Sequence, residues 1–338
     1  MSQASERSDA LTDSADQGVR TLPPRAGESG QVENDGLSIY YETAGDPDGV
    51  PVVFVEGWGT GRWMWRRQRR ALPDRFRTIF PDNRGTGRSD TPAGPRNLPE
   101  LFAERTGRWW ANCLSLWWPP AVAPWMQWAV PVDKPYTISD MAGDLEAVLA
   151  AQDVREAHVV GASMGGMIAL RYAIEYDRAK TLSLLGSTPG GSAAADPPAR
   201  VRRLAVSGAG RRLSRAAVRE RTRVAMSDEF VASRPALVER IVDWREECDA
   251  TPAGRFLQAV AASGFDVGRR LDEVRIPVHV LHGTADTVVP VENGRILADR
   301  LPNARYTPVD GGSHFVFFEE FETVNESLVE FFDEHADG

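Results

Sequence analysis

The stretch from Ala157 to Tyr176 constrains the chain more than any other. Ala157–Val160 (AHVV) is a short apolar run of the kind that forms a strand buried on both faces of a parallel sheet, and MIALRYAIEY after it has helical character. Between them lies GASMGG, Gly161–Gly166, which must reverse the chain within a few residues. Ser163 then sits at the apex of a strand-to-helix turn. A side chain two positions to either side would collide with the adjacent strand or helix, and those positions are Gly161 and Gly165. The competing reading is a tight turn with no chemistry, so the rest of the chain has to decide.

The remaining pattern alternates strands and helices. Asn34–Gly36 (NDG) before LSIYYET signals a hairpin, and PVVFV from Pro51 and FRTIF from Phe76 read as the next strands. Thr137–Asp140 has capping-box spacing, and Ile138, Met141, Ala142, Leu145, Val148 and Leu149 then recur at helical spacing. TLSLL from Thr181, IPVHVL from Ile276 and RYTPV from Arg305 complete the strands. This order predicts an α/β fold, a doubly wound, mostly parallel sheet whose functional residues gather beyond the carboxyl ends of its strands.

Composition narrows the partners. The formal charge of −9 supplies no overall positive field for nucleic acid. Cys113 and Cys248 lack metal-ligand spacing and read as buried thiols rather than a disulfide framework, and no motif implies a metal or organic cofactor. Residues 1–30 are polar and poor in large apolar side chains, as in a disordered tail, and show no signal-peptide pattern. A cytoplasmic location is the expectation.

A serine hydroxyl needs a general base near neutral pH, and histidine is the usual one. Of five histidines, His158 and His279 fall within strands, His282 ends one and His335 lies in a polar terminus. His314, in GGSHF after a strand-like run and a glycine pair, is the candidate base. Asp286, in HGTADTVVP after IPVHVL, is the candidate carboxylate that orients it. The order Ser163, Asp286, His314 is that of the nucleophile-elbow hydrolases. The oxyanion hole should combine the backbone N–H of Met164 with one from EGWGTG after PVVFV, where Trp58 is the candidate; one such donor is worth roughly 3 kcal/mol at the transition state.

With GASMGG, DNRGTGRSD from Asp82, GTADTVVP and GGSHF in place, residues 37–335 resemble the α/β-hydrolase superfamily, and within it the capped esterases, lactonases, C–C hydrolases and cofactor-free haloperoxidases. The resemblance implies a serine hydrolase that cleaves a carboxylic ester or lactone of a small apolar substrate. C–C bond hydrolysis, haloperoxidase or perhydrolase chemistry and a non-catalytic ligand-binding receptor are the alternatives. Epoxide hydrolysis and dehalogenation are disfavoured because those relatives carry Asp at the elbow. Where many relatives have His-Gly at the oxyanion loop, this chain has Glu56-Gly57, a carboxylate that either repels the oxyanion or turns away to pair with an arginine.

Two segments bear on specificity. Residues 189–265 are helical and Arg-rich and read as a cap between the core segments 31–188 and 266–338; its arginines read as a solvated face balanced by acids around Glu246 rather than as an anion site. The insertion 91–136 is rich in tryptophan, and its stretch from Trp109 to Val132 has no charged residue. Its prolines oppose a membrane-spanning helix. Trp109, Trp110, Trp117 and Trp118 read as an apolar lid contacting a small-molecule substrate, the alternative being contact of 109–132 with a membrane interface. Oligomeric state is left open.

Overall fold

A computed structural model describes residues 27–92, 136–208 and 210–336. The chain forms β1 (Ser29–Asn34), β2 (Leu37–Gly45), β3 (Val50–Val55), α1 (Arg66–Ala71), β4 (Phe76–Pro81), α2 (Ile138–Ala151), β5 (Ala157–Ala162), α3 (Met164–Glu175) and β6 (Ala179–Leu185). Five helices follow: α4 (Ala199–Val206), α5 (Arg215–Val224), α6 (Asp228–Ser233), α7 (Pro235–Cys248) and α8 (Pro252–Ser263). The chain then returns through β7 (Val278–Gly283), α9 (Glu292–Arg300), β8 (Ala304–Val309), α10 (Val316–Glu319) and α11 (Phe321–Glu334). The eight strands lie in the order β1-β2-β4-β3-β5-β6-β7-β8. β2 is antiparallel to β1 and to β4, and the strands from β4 to β8 run parallel. The doubly wound α/β architecture read from the sequence is thus the fold observed.

Local chemistry explains the elements. Asp35 and Gly36 both have positive φ, at 50° and 74°, which suits the two-residue turn that joins β1 to β2 with matching twist. β1 begins at Ser29, inside the segment read as tail, because its edge pairing with β2 continues to Glu42. The Thr137 side chain accepts from the Asp140 amide while the Asp140 carboxylate accepts from Thr137 N–H at 2.6 Å, a reciprocal cap worth about 1 kcal/mol.

Alternation along the central strands divides the core between two layers. Val53, Val55, Ile79 and Val159 face Leu145, Leu149, Ile168 and Ala169 of α2 and α3. Val52, Phe54, Phe80 and Val160 face Leu328, Phe331 and Phe332 of α11. Truncating a fully buried phenylalanine of this layer would cost about 3–5 kcal/mol. A buried bidentate pair, Arg84 to Asp144 at 2.6 and 2.7 Å, ties the loop after β4 to α2 and so fixes that loop beside the site. Among the described residues no helix is long and apolar enough to cross a membrane.

Candidate active site

Ser163 caps α3 with φ 55° and ψ −116°, a conformation that costs a non-glycine residue roughly 1–3 kcal/mol. The surroundings enforce it. Ser163 N–H donates to the Leu185 carbonyl at 2.9 Å, and the Ser163 carbonyl accepts from Gly166 N–H at 3.0 Å and from Ser187 Oγ at 2.9 Å. A Cβ at Gly161 would lie 2.2 Å from the Gly165 carbonyl oxygen, and one at Gly165 would lie 2.1 Å from that of Val55. Both glycines are therefore required by contact, as the spacing in the sequence anticipated.

His314 is reached through the loop after β8, and Asp286 through the loop after β7. Their side chains meet with Nδ1 2.7 Å from Oδ2. A carboxylate only accepts, so Nδ1 carries the hydrogen and Nε2 keeps its lone pair for a proton. The other oxygen, Oδ1, accepts from the Val288 and Val289 amides at 2.8 and 2.9 Å. Burial pushes Asp286 upward, but His314 and His282 outweigh it and hold the carboxyl at about 2. Ser163 and His314 line the same cavity, about 420 Å³ in volume.

Two neighbours of this pair escaped the sequence reading. His282, fully buried, lies with Nε2 2.8 Å from the Val289 carbonyl oxygen and 3.5 Å from Asp286 Oδ2, steadying the loop that carries the carboxylate. The HGTAD string places it one short turn ahead of Asp286, but position at a strand end read as structural. Gly186, with φ 55°, sits beneath the pair, where a Cβ would come within 3.2 Å of Asp286 Oδ2. The other histidines are elsewhere. His158 Nδ1 is 2.8 Å from Thr181 Oγ1, while its buried Nε2 has no hydrogen-bond partner among the described residues. Burial lowers it to about 4 and lowers His279 to about 3. His335 ends α11 and rests on Phe331 rather than in a free polar tail.

The loop after β3 runs alongside the elbow: a Cβ at Gly57 would be 3.6 Å from Ser163 Cβ. Gly57 N–H is directed to Met64 Sδ and Gly59 N–H to Gln258 Oε1, leaving Trp58 N–H without a protein acceptor among the described residues. The Trp58 indole donates to the Arg255 carbonyl at 2.8 Å and anchors the loop to α8. Gln258, also unforeseen, donates to the Arg84 carbonyl at 3.0 Å as well, so a single buried amide stitches the loops after β3 and β4 together.

Glu56 is completely buried and turns away from the cavity. Oε2 accepts from Asn83 N–H at 3.3 Å, and Oε1 has no hydrogen-bond partner among the described residues. Burial, then the neighbouring Asp82, raise it well above the usual carboxylate range, against the opposing pull of Arg62. Arg62 pairs with Asp82 instead, at 2.8 Å, while burial lifts Asp82 to about 6. Burial and the neighbouring Asp82 thus favour the neutral form of Glu56 beside the loop after β3.

The outer wall of the cavity comes from the helices between β6 and β7, through Leu204, Val218 and Val224 among others. On the outer face of α5 the arginines do find the acids expected of them: Arg215 binds Glu239, Asp243 and Glu246 at 3.1, 2.8 and 2.6 Å. Arg212, Arg221, Arg245 and Arg255 instead line the cavity, which corrects the reading of all the arginines in 189–265 as a solvated face. Cys248 is a free, half-buried thiol. Cys113, Trp109, Trp110, Trp117 and Trp118 lie outside the described residues.

The chain resembles known hydrolases in sequence and fold. The chain is 27% identical over 305 residues to the candidate carbamate hydrolase RutD of Azorhizobium caulinodans, covering 87% of this chain and 94% of that protein. It is 23% identical to 3-oxoadipate enol-lactonase 2 of Acinetobacter baylyi, covering 86% and 92% of the two chains. Among solved structures, Est816, an N-acyl homoserine lactone degrading enzyme, superposes with a TM-score of 0.66 at 26% identity over 89% of this chain and 100% of its own. The enol-lactonase of Burkholderia xenovorans LB400 shares the fold with a TM-score of 0.70 at 21% identity, over 90% and 100%. Residues 50–321, from β3 to the start of α11, match the alpha/beta hydrolase fold family, and the chain belongs to it.

Proposed function

We propose that the protein is a serine hydrolase that cleaves a carboxylic ester or lactone of a small substrate with an apolar body. The observation that carries this reading is the His314–Asp286 pair at 2.7 Å, opening on the cavity that the strained Ser163 also lines. In the proposed reaction His314 Nε2 takes the Ser163 hydroxyl proton as Oγ attacks the carbonyl carbon. The resulting oxyanion is met by the N–H groups of Trp58 and Met164. Collapse expels the leaving alcohol, which receives the proton from His314, and leaves an acyl group on Ser163. Water, deprotonated by the same imidazole, then releases the acid and restores the serine.

The segments 31–188 and 266–338 form the catalytic core in this reading, and 189–265 its cap. The Trp-rich insertion is its lid. Its described flanks support that placement: Thr91 Oγ1 is 3.1 Å from Thr251 Oγ1, on the cavity wall, and the Tyr136 hydroxyl donates to the Gly254 carbonyl at 3.4 Å. Both ends thus reach the start of α8 beside the cavity.

A fluorophosphonate probe tests the reading. The native protein is expected to gain one phosphonyl group, located by peptide mapping on Ser163. A native protein that stays unmodified while a small ligand raises its thermal midpoint would favour a binding role instead.

A further inference from the structure

We propose that the substrate of this site carries a carboxylate, held by Arg221 and Arg255, while its ester carbonyl lies over Ser163. The inference rests on the serine hydrolase reading and adds the substrate class. It begins from charge pairing inside the cavity. Arg245 is matched by Asp249 at 2.8 Å, and Asp249 also accepts from the Trp63 indole at 2.7 Å. Glu246 is matched by Arg215 on the outer face. Arg212 also lines the cavity but is exposed to solvent, which leaves the half-buried Arg221 and Arg255; among the described residues neither has a carboxylate within ion-pair distance.

Both guanidinium groups are held by neutral acceptors only. Arg221 Nη2 donates to the Leu204 carbonyl at 2.7 Å and to Ser207 Oγ at 3.1 Å, while its buried Nε has no hydrogen-bond partner among the described residues. Arg255 Nη2 donates to the carbonyls of Arg211 and Gly208. Such bonds fix a guanidinium in space without cancelling its charge. Burial lowers Arg221 to about 10, with Arg255 and Arg245 adding to the effect, so it stays cationic at neutral pH in a place that disfavours the charge. Burial likewise lowers Arg255, against the opposing pull of Asp249.

A half-buried cation pair with no carboxylate in direct contact is costly unless something supplies the anion. The cap helices carry acids in plenty for their outer face, where Arg215 and Arg219 are fully paired, but none of them turns toward Arg221. In this proposal the bound substrate supplies it. Arg255 is also coupled to the chemistry: its carbonyl accepts from Trp58, and its side-chain methylenes lie 3.3 and 3.4 Å from where a Gly59 Cβ would be, so it borders the oxyanion loop directly. A compact oxyanion placed there leaves the rest of a small substrate against the apolar wall. The shared chemistry would also suit phosphate, and binding separates the two.

The test compares monomethyl glutarate with methyl pentanoate, an anionic and a neutral ester of similar length, by pH-stat. The native protein is expected to favour the anionic ester at least about tenfold in kcat/KM, with a preference that shrinks as salt rises. In the Arg221→Gln/Arg255→Gln variant the ratio should approach unity through KM, and the Lys variants should keep part of it, which separates lost charge from lost folding. A native ratio near unity, or one unmoved in the Gln variant, overturns the proposal. Binding is read separately in Ser163→Ala: monomethyl glutarate should raise its thermal midpoint, and should not do so once both arginines are Gln. A rise with inorganic phosphate alone would replace carboxylate by phosphate and overturn the stated class. Should Ser163→Ala keep full turnover, the serine mechanism fails while this binding arm still decides the role of the arginines.

Discussion

Replacing Asp286 by Asn is expected to lower kcat for ester hydrolysis by about 10³–10⁴, the scale seen when a triad histidine is left in the wrong tautomer. The geometry dictates which way the new amide must face. Asp286 Oδ1 accepts two backbone N–H groups, from Val288 and Val289, and only the carbonyl oxygen of Asn can replace it there. The Asn NH₂ group is then forced toward His314 Nδ1, now 2.7 Å from Oδ2. It must donate to that nitrogen, which pushes the imidazole hydrogen to Nε2 and removes the lone pair that should receive the serine proton. Steady-state kinetics at neutral pH, with circular dichroism as a control for folding, measure the effect. A loss of less than tenfold would mean that Asp286 does not orient the base.

The second large effect concerns Glu56 and has a sign that depends on pH. Glu56→Ala removes a fully buried side chain and leaves the Asn83 amide without its acceptor, a change expected to cost about 2–4 kcal/mol of stability. Glu56→Gln keeps the shape and the acceptor. Because the folded state holds Glu56 protonated well above 4.5, its value outside the fold, folding takes up a proton once the pH passes that value. Native stability therefore loses ground to the neutral Gln variant as pH rises. Glu56→Gln is expected to match the native thermal midpoint near pH 4 and to exceed it at pH 8, with kcat changed by less than about threefold. A Gln variant less stable than the native protein at pH 8 would show that Glu56 is ionised in the fold, contrary to its burial beside Asp82.

Much of this was legible in the sequence because it depends on local rules. The apolar runs at Val53, Val159, Leu182 and Val280 became central strands because only strands buried on both faces are apolar in that way. The capping box at Thr137, the turn at Asp35-Gly36 and the elbow glycines are set by neighbours in the chain. Asp286 and His314 were found because the fold brings the ends of successive parallel strands to one edge, so order along the chain becomes proximity in space.

What escaped depends on contacts between distant segments. Whether Glu56 repels an oxyanion turns on Asp82 and Asn83, which reach it only through β4, and no pattern within EGWGTG encodes them. Gln258 joins two loops by its side chain amide, and a lone glutamine in a helix gives no signal of that. The arginines between β6 and β7 are the instructive case. In α5, Arg215 and Arg219 share the outer face at i and i+4, whereas Arg221 follows Val218 by three and precedes the buried Thr222, placing it on the inward side. Helical phase could have separated them. What it could not have told is that the inward side borders the cavity of Ser163 rather than a sealed core.

The most direct test of the central claim, that Ser163 is the acylated nucleophile, is release of p-nitrophenol from short and medium acyl esters by the native protein and by Ser163→Ala. The expected result is turnover in the native protein and its loss in the variant. Turnover that survives in Ser163→Ala, or a folded native protein that hydrolyses none of these esters, would contradict it.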